Sequence, residues 1–322
     1  MHTGVLTVKH IFIINPTAGK RDATDRIRAM ADRLAQEHGL ECQCLLTQRA
    51  GHAQELAREA AASGEAVRLY ACGGDGTLHE VVNGAAGYEN AAVTCIPVGT
   101  GNDFLKNFGA DAEKFTDAEN LWNGDEQTLD LIECNGQLCV TIACTGLDAQ
   151  IAQDVHRWGD LPLLSGKGSY LLAVAVNFFC RKFSKRWTVS LNGEEFSDDF
   201  VLSAVCNGRY YGGGFSPIPQ ARMDDGILNV ILVKKVSHLE FARLIGKYSD
   251  GKHEELANWA RVAETREIIL STDDGVLTTC LDGECFSAPR VEIRLSDKKL
   301  RVFGPAGCDC NATARPGAAA VR

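Results

Sequence analysis

The residues best placed to do chemistry lie in one run, Ala71-Cys72-Gly73-Gly74-Asp75-Gly76-Thr77-Leu78-His79-Glu80-Val81-Val82-Asn83-Gly84. An apolar stretch, Ala66 to Cys72, leads into it and reads as a buried strand. Leu78, Val81, Val82 and Ala85 leave it at helical spacing. The run is therefore a strand, a glycine turn and a helix start. Its glycines allow a tight turn and a close approach of backbone N–H groups to a ligand. The helix start adds partial positive charge. This chemistry suits a phosphate, although the same layout also serves as a plain connector.

A second run, Pro97-Val98-Gly99-Thr100-Gly101-Asn102-Asp103-Phe104, has the same character. It offers backbone N–H groups, the Thr100 hydroxyl and the Asn102 amide. Asp103 repels a phosphate; it either caps the following helix or holds the water shell of a metal. Further on, Asp282 and Glu284 lie two apart and share one face if the backbone is a strand. Alone, Asp282-Gly283 is a hairpin turn. Asp224-Asp225-Gly226 likewise reads as a turn before the strand Ile227 to Val233.

The elements that must position these residues follow from periodicity. His10 to Asn15 is an apolar strand broken by Pro16. Ile27, Met30, Ala31, Leu34 and Ala35 form a helical stripe ending at Gly39, a natural position for a left-handed stop. Glu41 to Thr47 alternates as a strand, His52 to Ala62 is helical, and Val93 to Val98 is another strand. This β-α-β-α-β-α-β order implies a parallel sheet covered on both faces. Ligands of such sheets sit at the carboxyl ends of the strands. The loops there are Asn15–Lys20, Thr47–Gly51, Gly73–Thr77 and Gly99–Asp103, and all four contain glycine and small polar residues.

Beyond about residue 128 strands dominate. Asn135-Gly136 and Asn192-Gly193 read as two-residue hairpin turns. Glu267 to Thr272, Val276 to Phe286 and Val291 to Val302 read as further strands, with helices over Ser169 to Phe179 and Leu239 to Tyr248. The segment Tyr170 to Cys180, followed by Arg181, Lys182, Lys185 and Arg186, reads as a buried helix with a basic end in preference to a lipid-facing element.

The chain has 322 residues, enough for two domains, with 45 % hydrophobic and 23 % charged residues. Its net charge of −9 argues against a general nucleic-acid binder and against whole-surface attraction to anionic lipid. The 13 cysteines are scattered on apolar positions and no secretory signal is expected, so they read as buried thiols of a reducing compartment. Zinc at Cys42/Cys44 or Cys308/Cys310 would need more ligands. No run is long enough to span a bilayer.

Taken in order, Gly73-Gly74-Asp75-Gly76-Thr77 with Glu80, Val81, Asn83 and Gly84, then Gly99 to Phe104, resembles the diacylglycerol kinase catalytic domain, in the bacterial branch related to sphingosine and ceramide kinases. The resemblance extends over Asn15-Pro16, Gly19, Thr47, Gly51-His52-Ala53, Asn207-Gly208, Gly212-Gly213-Gly214, Asp224-Asp225-Gly226 and Leu281-Asp282-Gly283-Glu284, and so covers nearly the whole chain to about Phe303. One departure is Asn229, where the family commonly has aspartate.

The resemblance implies an α/β plus β fold. A doubly wound parallel nucleotide-binding domain, similar to those of phosphofructokinases and NAD kinases, precedes an antiparallel β-sandwich. It implies an ATP-binding domain over 1–128, a lipid-substrate domain over 129–303, a cleft between them, and a disordered tail over 304–322. The implied activity is transfer of the γ-phosphoryl group of ATP to a lipid hydroxyl, first of all that of diacylglycerol, with a sphingoid base or another glycerolipid as the alternative acceptor. The implied nucleotide residues are Asn15, Thr47, Gly73, Gly74, Asp75, Gly76, Thr77, Leu78, His79, Thr100 and Asn102. Asp282 and Glu284 are the implied catalytic pair, and Asp225, Asp130 and Asp103 the implied Mg²⁺ network. The expected setting is cytoplasmic, with transient peripheral contact at the inner membrane surface, no nucleic-acid partner and a strand edge able to pair into a homodimer. An NAD kinase would carry a different pattern after Val98. A non-catalytic regulator would be expected to lack the carboxylates.

Overall fold

The computed structural model describes residues 8–99, 102–158 and 184–313. The expected helix over Ser169 to Phe179 and Thr100 lie outside the described residues. The chain divides into two compact units, one holding residues up to Leu131 together with Asp297–Thr313, the other Ile132–Ser296.

In the first unit, β1 (Lys9–Ile14), β2 (Glu41–Leu46), β3 (Val67–Gly73) and β4 (Ala91–Pro97) are parallel, and the six-stranded sheet runs β2-β1-β3-β4-β17-β5. β5 (Glu126–Leu129) is antiparallel to β17 (Leu300–Phe303), which is itself parallel to β4. β1 and β3 are almost wholly buried, as strands covered on both faces must be. Three helices make the crossovers: α1 (Thr24–His38), α2 (His52–Ala62) and α3 (Asp75–Ala85). Right-handed crossovers put α1 on one face and α2 with α3 on the other. α1 buries Ile27, Ala31 and Leu34 and stops at Gly39, whose φ of 67° is the left-handed stop its sequence predicts. Gly84 lets α2 and α3 close up: a Cβ there would stand 2.4 Å from the Gln54 carbonyl oxygen.

Two features depart from the sequence reading. Val291 to Val302 is not one strand: β16 (Arg290–Leu295) belongs to the second unit's sheet and β17 to the first. Residues 297–303 therefore leave the expected 129–303 domain, because Leu300, Val302 and Phe303 complete the first core. The expected disordered tail is also packed as far as 313. Cys308 and Cys310 are buried, Gln127 donates to the Cys308 carbonyl at 2.8 Å, and the Gln127 side-chain oxygen accepts from the Cys310 N–H at 3.0 Å.

The second unit is an eleven-stranded antiparallel sheet. Its spine runs β15 (Glu284–Ala288), β14 (Leu277–Leu281), β8 (Ile142–Gly146), β10 (Glu194–Cys206), β9 (Lys185–Leu191), β13 (Glu267–Ser271), β16, β6 (Ile132–Cys134), β7 (Gln137–Cys139), with β11 (Leu228–Lys234) and β12 (Ala260–Thr265) branching from β10. β11 places Leu228, Val230 and Leu232 in one apolar cluster and Ile231 and Val233 in another. Asn135-Gly136, Asn192-Gly193 and Asp282-Gly283 all have positive φ at both positions, as tight hairpin turns require. The last of these splits the expected strand Val276 to Phe286 into β14 and β15. Among the described residues two α-helices accompany the sheet: α4 (Leu147–Trp158) and α5 (His238–Ser249), the latter with a Ser237/Glu240 capping box. α4 was not expected, although Leu147 and Ile151 are spaced for it.

Candidate active site

The four loops at the carboxyl ends of β1–β4 are laced together by side chains. The Asn15 amide donates to the Thr77 hydroxyl at 3.3 Å, joining the first loop to the third. Its oxygen accepts from the Thr17 N–H at 3.0 Å and the Thr17 hydroxyl at 2.8 Å. Thr47 follows β2 and donates its N–H to the Ile14 carbonyl at 2.9 Å, so the second loop starts beside the first. Glu80 holds that loop by accepting from the N–H groups of Gly51 and Ala53 at 2.8 and 3.0 Å. The first-turn donors of α2 are thus partly spoken for by a carboxylate.

The start of α3 differs. Gly74 is its N-cap and no side chain caps it. The N–H groups of Asp75, Gly76 and Thr77 lie in its first turn, where α-helices leave donors without internal partners. Gly73 is required by contact, since a Cβ there would stand 2.2 Å from the Thr77 hydroxyl, whereas a Cβ on Gly74 would meet nothing within 4 Å. Leu78 and His79 are buried in the following turn. Among the described residues, the buried His79 Nδ1 has no hydrogen-bond partner, a cost that a ligand would relieve.

Asp75 reaches across to the fourth loop. Its carboxylate accepts from the Asp103 N–H at 3.1 and 3.3 Å, so it orients the loop that carries Asn102. The Asn102 amide donates to the Gly99 carbonyl at 3.0 Å within that loop. Phe104–Thr116 continues as a 3₁₀ segment kinked at Gly109 (φ 59°). The Asp103 side chain makes no cap there and is ion-paired with Lys106.

In the second unit, Asp282 and Glu284 have opposite surroundings. Asp282 sits at the first hairpin position with φ 47°. Its carboxylate accepts from the N–H groups of Val140, Thr141 and Ile142 at 2.6, 3.0 and 3.1 Å, and from the Thr141 hydroxyl. Three of these bonds end on Oδ1 and one on Oδ2, so most of the carboxylate's acceptor capacity is taken up by the 140–142 backbone and Thr141. Glu284, at the start of β15 and paired there with Leu281, is exposed, and its side chain makes no hydrogen bond or ion pair with the described residues.

The three expected metal ligands are spread over both units. Asp225 lies exposed before β11 and accepts from the Ile227 N–H at 3.1 Å, while neighbouring Asp224 pairs with Arg222. Asp130 is buried and ion-paired with Lys299. Carboxylate oxygens are the donors Mg²⁺ favours. Asp225 offers such a donor to solvent; Asp103 and Asp130 are each paired with a lysine cation, which competes for the same oxygens.

The second unit also contains a cavity of about 800 Å³. Its walls include Leu147 and Gln150 of α4, Trp187 of β9, Phe200 of β10, His238 of α5 and Leu277 of β14. Among the described residues no helix is long and apolar enough to cross a membrane.

Comparison with known proteins matches both units. Residues 9–134 match the diacylglycerol kinase catalytic domain, and residues 141–304 the YegS C-terminal NAD kinase beta sandwich-like domain. A Pseudomonas aeruginosa protein described as a probable lipid kinase YegS-like is 30 % identical over 290 residues, covering 90 % of this chain and 93 % of its own. A Bacillus subtilis diacylglycerol kinase is 30 % identical over 243 residues, 75 % of this chain and 78 % of its own. The crystal structure of a candidate diacylglycerol kinase from Bacillus anthracis superposes with a TM-score of 0.71 at 25 % identity, covering 92 % of this chain and 96 % of that one. The parallel α/β unit, the antiparallel β unit and the laced strand-end loops thus belong to a chain that is a lipid kinase of the diacylglycerol kinase catalytic-domain family.

Proposed function

We propose that this chain transfers the γ-phosphoryl group of ATP to the free hydroxyl of diacylglycerol, forming phosphatidic acid. The observation that carries the reading is the uncapped start of α3, ringed by loops that Asn15, Glu80 and Asp75 tie together. Phosphoryl transfer asks the protein mainly for positioning and charge stabilisation. The first-turn N–H groups of α3 receive the ATP phosphates, and Asn15, Thr47, Leu78, His79, Thr100 and Asn102 complete the nucleotide site. The orphaned Nδ1 of His79 supports a ligand at that turn.

Glu284 takes the proton of the attacking hydroxyl, since its carboxylate is unencumbered. Asp282, its carboxylate engaged by four hydrogen bonds, holds the hairpin that presents Glu284. Asp225 would hold Mg²⁺, with Asp103 and Asp130 kept near their lysines as outer members of that network. The ion supplies charge neutralisation to the phosphates when bound. The cavity sets apolar Leu147, Trp187, Phe200 and Leu277 beside charged Lys185, Arg186 and Lys235, a lining that supports an amphipathic lipid as the occupant, and the Bacillus subtilis relative supports diacylglycerol as the acceptor. The setting that follows is peripheral, at the cytoplasmic face of the inner membrane.

The test is a transfer assay with labelled ATP and Mg²⁺. Diacylglycerol, a sphingoid base and another glycerolipid in mixed micelles are offered in parallel, with NAD beside them. Labelled phosphatidic acid as the main product is expected. Preferential labelling of the sphingoid base or of NAD would refute diacylglycerol as the acceptor.

A further inference from the structure

Three polar side chains meet inside the second apolar cluster of the antiparallel unit, outside every motif discussed so far. Asp148 is the second residue of α4, Tyr211 lies in the glycine-rich turn after β10, and Tyr248 is near the end of α5. The Tyr211 hydroxyl donates to Asp148 Oδ2, and the Tyr248 hydroxyl donates to the same oxygen at 3.3 Å. The two hydroxyls stand 2.8 Å apart. Both bonds use Oδ2. The surroundings are otherwise apolar and include Leu147, Ala149, Phe215 and Phe241.

The placement of this cluster is informative. Leu147 and Gln150, three apart on α4, line the 800 Å³ cavity, and so do Ser237 and His238 at the start of α5. Asp148 follows Leu147 and is therefore turned by about 100° around the helix. It does not line the cavity. Its bond to Tyr248 joins the two helices that wall the cavity, and its bond to Tyr211 adds the turn Gly212-Gly213-Gly214 to the same knot.

We propose that Asp148 is a positioning residue for the acceptor lipid: by tying α4 to α5 and to the turn at Tyr211, it fixes the width of the cavity that takes the hydrocarbon chains. The inference rests on that cavity being the lipid site. It adds a determinant of chain selectivity that lies behind the wall and touches no substrate.

The knot has a titratable centre. Burial pushes the Asp148 carboxyl up to about 6, against the pull of the Tyr211 and Tyr248 hydroxyls. The titratable groups facing it are those two hydroxyls, both held neutral by burial, and the Cys144 thiol on β8, with the Cys285 thiol of β15 at the neighbouring Ala149 carbonyl. Among the described residues no cation stands beside it. As the pH falls through 6 the carboxylate gains a proton and its pull on the two hydroxyls weakens.

The test compares the full chain with Asp148→Asn and Tyr248→Phe, using a short-chain and a long-chain diacylglycerol. The readouts are KM for each lipid, KM for ATP, kcat, and the pH profile of kcat/KM for lipid. In both variants the lipid KM is expected to rise about tenfold, what one hydrogen bond contributes, and the chain-length preference to flatten. The ATP KM and kcat are expected to stay within about twofold. The fall in kcat/KM below pH 6 is expected in the parent and absent in Asp148→Asn. If Asp148→Asn does not fold, Tyr248→Phe, which keeps the ring, decides alone. Unchanged lipid KM and chain preference in an active variant overturn the inference alone. Inactivity of the parent chain towards both lipids overturns the reading beneath it, and the inference falls with it.

Discussion

Replacing Asp282 by asparagine separates two roles that one carboxylate is often given together. Asparagine tolerates the positive φ of 47° at this hairpin position, so the turn itself is left alone. Its oxygen can still accept from Thr141 and Ile142, but its amino group then faces the Val140 N–H, which now donates to Oδ2 at 2.6 Å. A donor facing a donor costs about 1–3 kcal/mol, and the remaining bonds lose their charge assistance. The site is half-buried and water can partly replace what is lost, so the net cost is about 3 kcal/mol. For a unit of this size that lowers the unfolding midpoint by about 6–12 °C. Calorimetric unfolding and steady-state turnover on the same preparations are the assay. A variant that unfolds within about 1 °C of the parent yet has lost turnover would refute the argument. The carboxylate would then be a proton acceptor and not a clamp.

Three further outcomes are expected. Glu284→Gln leaves the unfolding midpoint unchanged, because the side chain is exposed and unbonded, and lowers kcat by about 10²–10⁴ as the loss of a general base does; retained kcat would move the base elsewhere. Glu80→Gln gives up one of its bonds to the Gly51 and Ala53 N–H groups, loosening the loop after β2, so the ATP KM should rise several-fold while the lipid KM holds; an unchanged ATP KM would remove that loop from the nucleotide site. His10 is held neutral by burial and by the Arg68 charge, with its pKa lowered from 6.5 to about 4. The unfolded chain binds that proton first, so the stability it contributes is complete above pH 6.5 and lost as the pH falls towards 4, by up to about 3 kcal/mol. The midpoint of the parent should therefore drop between pH 7 and 5 more steeply than that of His10→Gln; parallel curves would refute it.

The first unit was legible because its signals are local. Apolar runs such as Ile11 to Ile14 and Leu69 to Cys72 mark strands buried on both faces, and Gly39 marks the end of α1. The strand-end loops and Gly73 were readable for the same reason. What escaped depends on partners distant in sequence. Glu80 reads as one more helical carboxylate until Gly51 and Ala53 stand opposite it, 29 and 27 residues away. The division of labour between Asp282 and Glu284 is set by the backbone of 140–142 and by nothing in their own spacing. Asp148 escaped because α4 did, although Leu147 and Ile151 carried its period. The quartet Ser296-Asp297-Lys298-Lys299 between Leu295 and Leu300 was a readable break between β16 and β17, but not which sheet each would join.

The position of β17 has a consequence for how the chain is made. The strand lies between β4 and β5, so the first sheet has a vacant slot until residue 303 has been synthesised. Whatever structure residues 8–131 form on a translating ribosome, β4 and β5 wait through the synthesis of the whole antiparallel unit with their facing edges unpaired. Unpaired strand edges invite non-native pairing. The second unit can close on its own residues first. A nascent chain halted after Ser296 should therefore be the most aggregation-prone intermediate of its biosynthesis, and the last strand, far from the loops that do chemistry, the step that commits the nucleotide-binding sheet to its final form.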